Sequence, residues 1–236
     1  MGTLSIVSHS SQPFTDRTEA GRLLARQLQS TSVAHRGMVV LGIPRGGIIL
    51  AWEIARAVDA DLDIVLSRKL GAPGNPELAI GAVAEDGKVF LHQRLVENLG
   101  VSDSYIREEQ ARQMAEIARR SELIRRILPR VPLAGREVIV TDDGIATGAT
   151  MQAALWSVSQ ERPSRLIGAL PVGPEDTLMD LAPDADDLIC LRSPPEFAAV
   201  GQFYRFFPQI EDEEVFAIMR EEARRKGLAG ETPRQK

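Results

Sequence analysis

A short β-branched segment, Val138-Ile-Val-Thr141, leads directly into two carboxylates and a loop of small residues, and this junction constrains the fold more than any other feature. β-branched residues favour a strand, and the small residues that follow favour a loop that opens into a helix. A strand followed at once by a helix is typical of a βαβ unit, in which helices connect parallel strands. The junction therefore predicts a helix from about residue 149 to 160 in an α/β protein.

Apolar segments of strand length recur along the chain, with helical patterns between them. The predicted strands cover residues 38–42, 62–67, 138–141, 166–172 and 188–191, and the predicted helices cover 14–25, 46–58 and 149–160. This alternation predicts a doubly wound parallel sheet with helices on both faces. We expect a single domain over residues 14–227, preceded by a mobile N-terminus (1–13) and followed by a loose tail (228–236).

The alternation breaks between residues 69 and 135, where we predict an insert that forms a small hood. Two apolar segments, 79–84 and 88–92, flank Glu85-Asp86-Gly87, and the Asp-Gly pair predicts a β-hairpin. A long helix is predicted from about residue 104 to 128, because apolar residues recur every three or four positions. Opposite charges four residues apart predict ion pairs on its other faces. These pairs are Glu108–Arg112, Glu116–Arg120 and Glu122–Arg126.

The composition argues against several classes of protein. A net charge of −5 over 236 residues does not suit non-specific nucleic-acid binding as the main task. No apolar segment approaches the length needed to span a membrane, and the N-terminal residues lack a signal-peptide pattern. The single Cys190 excludes an intrachain disulfide and suits a reducing compartment. We therefore expect a cytoplasmic protein without a nucleic-acid or membrane partner.

Each part of the junction suits a ligand that is a sugar phosphate. Asp142 and Asp143 follow the strand, so their carboxylates can accept hydrogen bonds from vicinal ribose hydroxyls. The loop after them offers backbone N–H groups and two threonine hydroxyls to a phosphate, at the positive end of the next helix. This predicted 5′-phosphate loop consists of Ala146, Thr147, Gly148, Ala149 and Thr150. It is not a Walker A motif, because no Gly-Lys-Ser/Thr follows, and it lacks the glycine spacing of a dinucleotide site.

A second glycine-containing loop follows the predicted strand 38–42 and begins at the same edge of the sheet. Open α/β sheets bind ligands at this edge, outside the carboxyl ends of their strands. The forked cation of Arg45 suits a phosphate group, and the glycines expose backbone N–H groups. We therefore predict a pyrophosphate-binding loop formed by Pro44, Arg45, Gly46 and Gly47.

Two further segments are candidates for the site. Residues 67–77 contain two glycines and two prolines, which predicts a long irregular loop whose Arg68 and Lys69 can close over an anionic leaving group. The alternative is an exposed connection with incidental charges. A C-terminal segment, residues 193–226, is rich in aromatic side chains, and core packing is the default explanation for most of them. Phe197 or Tyr204 can instead offer a flat face for stacking an acceptor heterocycle.

These motifs resemble those of type I phosphoribosyltransferases. The segment VIVTDDGIATGAT at residues 138–150 is similar to the family's signature for phosphoribosyl diphosphate (PRPP). Residues 42–47 are similar to its pyrophosphate loop, where an unusual peptide geometry is often found, and residues 68–77 to its flexible loop. Together with residues 14–25 and 197–207, the layout looks like an incompletely characterised branch of the family.

The resemblance implies transfer of the 5-phosphoribosyl group of PRPP to a nitrogenous acceptor, a nucleobase or related heterocycle, with release of pyrophosphate. It implies that Asp142, Asp143, Arg68 and Lys69 are the catalytic residues. It also implies Mg²⁺ bound with PRPP and held by Asp142 and Asp143 through water. We further expect a homo-oligomer, namely a dimer. Two alternatives remain: a regulator that senses PRPP or a nucleotide without turnover, and a phosphohydrolase that acts on a ribose phosphate.

Two residues depart from the family pattern. Gly144 stands where a bulky aliphatic residue usually follows the acidic pair, so the local backbone is expected to differ. Ala146 stands where enzymes for 6-oxopurines carry an aspartate, which argues against hypoxanthine or guanine as the acceptor. The identity of the acceptor stays open.

Overall fold

Six parallel strands form the centre of the fold in a computed structural model, which describes residues 2–31 and 33–228. The helices and strands, in chain order, are β1 (Thr3–Ser8), α1 (Arg17–Ser30), β2 (Val39–Gly42), α2 (Gly47–Val58), β3 (Asp61–Ile64), β4 (Ser67–Ala72), β5 (Asn75–Ala84), β6 (Val89–Leu91), α3 (Gln93–Asn98), α4 (Asp103–Arg125), β7 (Glu137–Thr141), α5 (Ala149–Ser159), β8 (Arg165–Val172), α6 (Glu175–Leu181), β9 (Asp187–Arg192) and α7 (Asp212–Arg225). The large sheet has the order β1-β9-β8-β7-β2-β3, and all its neighbouring strands are parallel.

Helices cover both faces of this sheet, because its strands alternate their side chains between two apolar cores. In β7, Val138 and Val140 belong to the core beneath α5 and α6, whereas Ile139 belongs to the core beneath α1 and α2. Successive side chains of a strand point to opposite faces, so strands covered on both sides are apolar throughout. The predicted doubly wound α/β fold is confirmed. Among the described residues, no helix is both long enough and apolar enough to cross a membrane.

The two ends of the chain differ from expectation in different ways. The prediction of a mobile segment over residues 1–13 is wrong for β1, which pairs with β9 and extends the sheet. Leu4 and Ile6 pack against the core there, and this contact stabilises the strand despite the polar residues around it. Of the predicted tail, Leu228 is exposed and residues 229–236 lie outside the described residues.

The insert is a three-stranded antiparallel sheet, β4-β5-β6, packed beside α4. The predicted hairpin is confirmed as β5 and β6. The prediction of an irregular loop over residues 67–77 is wrong, because β4 and β5 form a second hairpin there. Pro73 and Gly74 form its turn, where Gly74 has a φ of +74°; proline then glycine is the usual pair for such a turn. Register shifts around Gly71 leave Pro76 beside a bulge, where a strand tolerates a missing N–H.

The long helix α4 is confirmed and ends slightly earlier than expected, at Arg125. Its predicted ion pairs are only partly correct. Glu122 and Arg126 do pair, but Arg112 bonds to Glu109, and Glu116 lies 3.8 Å from Arg68 of β4. A local pair three residues apart replaces Glu108–Arg112, and a tertiary contact to β4 replaces Glu116–Arg120.

Candidate active site

The two predicted ligand loops begin side by side, since they follow neighbouring strands in register. Gly42, the last residue of β2, pairs with Thr141, the last residue of β7. One step further, the Ile43 N–H donates to the Thr141 carbonyl oxygen over 2.9 Å. The predicted pyrophosphate loop and the acidic pair thus diverge from one point at the carboxyl edge of the sheet.

The glycines of the pyrophosphate loop allow its backbone to pack against the acidic pair. A Cβ added to Gly46 would lie 1.9 Å from Asp143 Oδ2, and one added to Gly47 would lie 2.7 Å from the Thr141 carbonyl oxygen. Neither distance leaves room for a side chain. The Pro44–Arg45 peptide bond is cis, which is the kind of unusual peptide geometry expected of this loop.

Asp143 is held by an arginine that the sequence patterns did not indicate. Arg17, at the start of α1, is 7% exposed, and its Nε donates to Asp143 Oδ2 over 2.7 Å. Its Nη1 donates to the Pro208 carbonyl oxygen over 2.8 Å, and its guanidinium lies 3.7 Å above the Phe207 ring. Because these acceptors are 126 and 191 residues away along the chain, no local motif marks Arg17.

The two carboxylates differ in their surroundings. Burial raises the pKa of Asp142 well above its usual value, and the charge of Asp143 raises it further. Burial also raises the pKa of Asp143, but the hydrogen bond from Arg17 opposes this rise. Asp142 Oδ1 accepts the Asp143 backbone N–H over 2.8 Å and makes no ion pair with any described residue. Asp143 is therefore fixed by an ion pair with a side chain, whereas Asp142 is held by backbone N–H groups.

The predicted 5′-phosphate loop ends in the first turn of α5, as expected. Gly148 is the N-cap with a φ of +74°, and no side chain caps the helix. The loop is fixed from behind: the Ile145 N–H donates to the Val172 carbonyl over 3.0 Å, and the Thr177 hydroxyl donates to the Ala146 carbonyl over 3.0 Å. Ala146, Thr147 and Thr150 are exposed. An uncapped helix start beside exposed hydroxyls is suited to bind an anion.

Arg68 and Lys69 lie on β4 rather than on a loop, yet they line the same cavity as residues of both predicted ligand loops. With Pro44 and Thr150 they line a cavity of about 130 Å³ between the sheet edge and the insert. The structure therefore brings together residues from the three segments predicted to contact phosphate groups.

The aromatic segment is packed differently from the prediction. Tyr204 is 6% exposed, with ring centroids 5.4 Å from Phe14 and 4.8 Å from Phe207, so it offers no free face to an acceptor and that prediction is wrong. Its hydroxyl instead donates to the Asp143 carbonyl oxygen over 2.6 Å. Phe197 is half-buried against Phe203, at 5.0 Å, and neither Phe197 nor Tyr204 lines the cavity. A stacking role for Phe197 stays a prediction.

Glu211, just before α7, is a further residue that the sequence patterns missed. Its carboxylate lies 3.6 Å from Arg45 of the pyrophosphate loop. The described residues contain no group of three or more His, Cys, Asp or Glu side chains that could hold a metal. The acidic pair alone fits Mg²⁺, which usually uses one or two carboxylates together with substrate phosphates and waters.

Comparisons with known proteins agree with this geometry. Residues 16–200 match the family model of the phosphoribosyl transferase domain. Two Mycobacterium tuberculosis proteins, named “Putative phosphoribosyl transferase MT0597” (strain CDC 1551) and “Putative phosphoribosyl transferase Rv0571c” (strain H37Rv), are each 42% identical over 206 residues, which is 87% of this chain. The chain spans 46% of the length of each. The crystal structure of TT1426 from Thermus thermophilus superimposes with a TM-score of 0.83 at 44% identity, covering 89% of this chain and 99% of that one.

Proposed function

Because the chain belongs to the phosphoribosyltransferase family, we propose that it transfers the 5-phosphoribosyl group of PRPP to a nitrogenous acceptor and releases pyrophosphate. The acceptor would be a nucleobase or a related heterocycle. The observation that carries the proposal is the packing of the Gly46–Gly47 backbone against Asp142 and Asp143. This contact places the proposed pyrophosphate loop beside a carboxylate that can accept hydrogen bonds from hydroxyls. The arrangement suits the diphosphate of PRPP and the ribose next to it.

Each part of PRPP has a corresponding group. The 5′-phosphate would be bound by residues 146–150 at the start of α5, where backbone N–H groups face an anion. The ribose hydroxyls would donate to Asp142, with Asp143 held in place by Arg17. The pyrophosphate would lie on Pro44–Gly47, where Arg45 would exchange its contact with Glu211 for a phosphate oxygen.

In the proposed reaction the protein mainly positions the reacting atoms and stabilises the charge of the leaving group. The bond from C1 to the pyrophosphate oxygen breaks, and its electron pair leaves on pyrophosphate. The lone pair of the acceptor nitrogen forms the new bond to C1, and the nitrogen's proton passes to solvent. Arg45, Arg68 and Lys69 would balance the charge that develops on the leaving group, while the two loops hold the reacting atoms in line.

Mg²⁺ would be shared between the diphosphate and the acidic pair, reached through water, and would supply charge neutralisation to the leaving group. The described protein groups fit this role, since two adjacent carboxylates stand beside the proposed pyrophosphate loop. The expected homodimer stays a prediction, which analytical ultracentrifugation would test.

Calorimetric titration of PRPP, with and without Mg²⁺, tests the proposal. The key variant is Asp142→Asn, because Asp142 makes no ion pair with a described residue whose loss would disturb the fold. We expect it to weaken magnesium-dependent PRPP binding by roughly tenfold or more, and the double change with Asp143→Asn to abolish it. Asp180→Asn, an exposed carboxylate on α6, is the matched control and should bind as the wild type does. Wild-type affinity in the double variant would refute the assignment.

Product analysis separates this activity from the two alternatives. A transferase releases pyrophosphate only when PRPP and a suitable base are both present. A sensor would bind PRPP without releasing pyrophosphate. A phosphohydrolase would release its product without any acceptor.

A further inference from the structure

On one side, the cavity between the sheet edge and the insert is lined by residues that have no role in the proposed function. This side is a wall formed by the middle of α4, which contributes Glu116, Ile117 and Arg120, opposite Pro44 and Thr150. The cavity has a volume of about 130 Å³, whereas a single water needs roughly 10–15 Å³. It is large enough for a phosphate group.

Arg120 is the unusual member of this wall. Its Nε is buried, and no described residue accepts a hydrogen bond from it. Its expected partner one helical turn earlier, Glu116, lies 3.8 Å from Arg68 instead. A guanidinium remains charged at any pH that the protein tolerates, and a buried charged N–H without an acceptor is costly. Arg120 also lines the cavity, so an anion bound there would bring an acceptor to its guanidinium.

The charges around the cavity indicate what that acceptor is. Arg68, Lys69 and Arg120 line it, and Glu116 is the one acidic side chain among its described lining residues. The excess of positive charge favours an anion over a cation or a neutral ligand. Because Pro44 and Thr150 also line the cavity, the anion would lie between the proposed pyrophosphate and 5′-phosphate loops.

We propose that Arg120 binds the pyrophosphate group of PRPP, as a third cation beside Arg68 and Lys69; this rests on the proposed function. The long helix of the insert thereby contributes directly to the substrate site. Pyrophosphate would accept from the Arg120 guanidinium and would draw Arg68 away from Glu116.

Two ligands and three variants test this role. Wild type, Arg120→Gln, Arg120→Lys and Arg119→Gln are each titrated with inorganic pyrophosphate and with ribose 5-phosphate, both with Mg²⁺. We expect Arg120→Gln to weaken pyrophosphate binding by roughly tenfold or more and to change ribose 5-phosphate binding by less than about twofold. Arg120→Lys should restore only part of the loss, because an ammonium does not reproduce the planar fork. Arg119→Gln removes the neighbouring exposed charge and should match the wild type.

Other results would overturn the inference. Unchanged pyrophosphate affinity in Arg120→Gln would mean that Arg120 does not contact the pyrophosphate. An equal loss for both ligands, together with a lowered melting temperature, would mean that Arg120 only supports the fold. If the wild type bound neither pyrophosphate nor PRPP, the proposed function would fail and this inference with it. If Asp142→Asn lost PRPP binding while Arg120→Gln bound pyrophosphate normally, the role of Arg120 would be refuted. The proposed function would stand in that case.

Discussion

The sheet edge and the insert line the same cavity, but different forces hold them. At the edge, backbone packs directly on backbone: a Cβ on Gly42 would lie 2.6 Å from the Ile48 Cα. The insert packs on the apolar core and is also joined to the sheet by a buried charge network, in which Arg125 bonds both Asp63 and Glu85. The edge should therefore be sensitive to added volume, and the insert to the removal of a charge.

The strongest test of this difference is the loss of Arg125. Its Nη1 lies 2.6 Å from Asp63, which is 2% exposed, and its Nη2 lies 2.7 Å from Glu85. Arg125→Met would leave a buried carboxylate without its partner, and we expect a loss of about 3–5 kcal/mol in the free energy of unfolding. Urea denaturation measures this loss.

The adjacent residue provides a matched control. Arg126 pairs with Glu122 on the surface of the same helix, and both side chains are well exposed. Arg126→Met should therefore cost no more than about 1 kcal/mol. Equal losses in the two variants would show that the buried network does not hold the insert.

At the sheet edge the corresponding test adds a single methyl group. Gly46→Ala would place a Cβ 1.9 Å from Asp143 Oδ2, so the loop or the carboxylate must move. We expect a cost of about 1–3 kcal/mol in stability and a loss of PRPP affinity of roughly tenfold or more, because the same contact sets the proposed site. Thermal unfolding and calorimetry measure the two effects.

Gly201→Ala is the comparison for this variant. Its added Cβ would meet only the Phe207 ring, at 3.1 Å, and a side chain can shift more easily than the acidic pair. We expect a smaller change in stability and nearly normal PRPP affinity. A Gly46→Ala variant that binds PRPP as tightly as Gly201→Ala would contradict the role given to the backbone contact.

The same difference explains which features could be predicted from the sequence. The parallel sheet, the acidic pair and the helix that starts after Gly148 follow from local patterns, since each depends on residues adjacent in the chain. No local pattern marks Arg17 or the proposed role of Arg120, because both depend on residues brought close only by folding. Residues 67–77 contradict the predicted loop because a turn and a bulge accommodate proline and glycine, which usually break strands. The burial of Tyr204 cannot be deduced from an aromatic cluster alone.

The smallest expected effect concerns the pH dependence of the insert's attachment. Burial alone would raise the pKa of Glu85, but hydrogen bonds from Arg125 and Ser121 outweigh it and hold the pKa below its usual 4.5. A carboxylate with a lowered pKa stabilises the folded state above its unfolded pKa, and this contribution is lost as the pH falls through the folded value. We therefore expect Glu85→Gln to be less stable than the wild type at pH 7, by about 1 kcal/mol.

The gap between the two proteins should narrow as the pH falls below about 4.5, because Glu85 is then protonated first in the unfolded protein and, at lower pH, in the folded protein as well. Burial raises the pKa of neighbouring Asp63, which affects both proteins, so the difference between their unfolding free energies isolates Glu85 to a first approximation. Glu122→Gln, on the exposed side of α4, should differ little from the wild type at any pH. A gap for Glu85→Gln that stays constant down to a pH of about 3 would mean that shape, rather than charge, fixes the insert to the sheet edge.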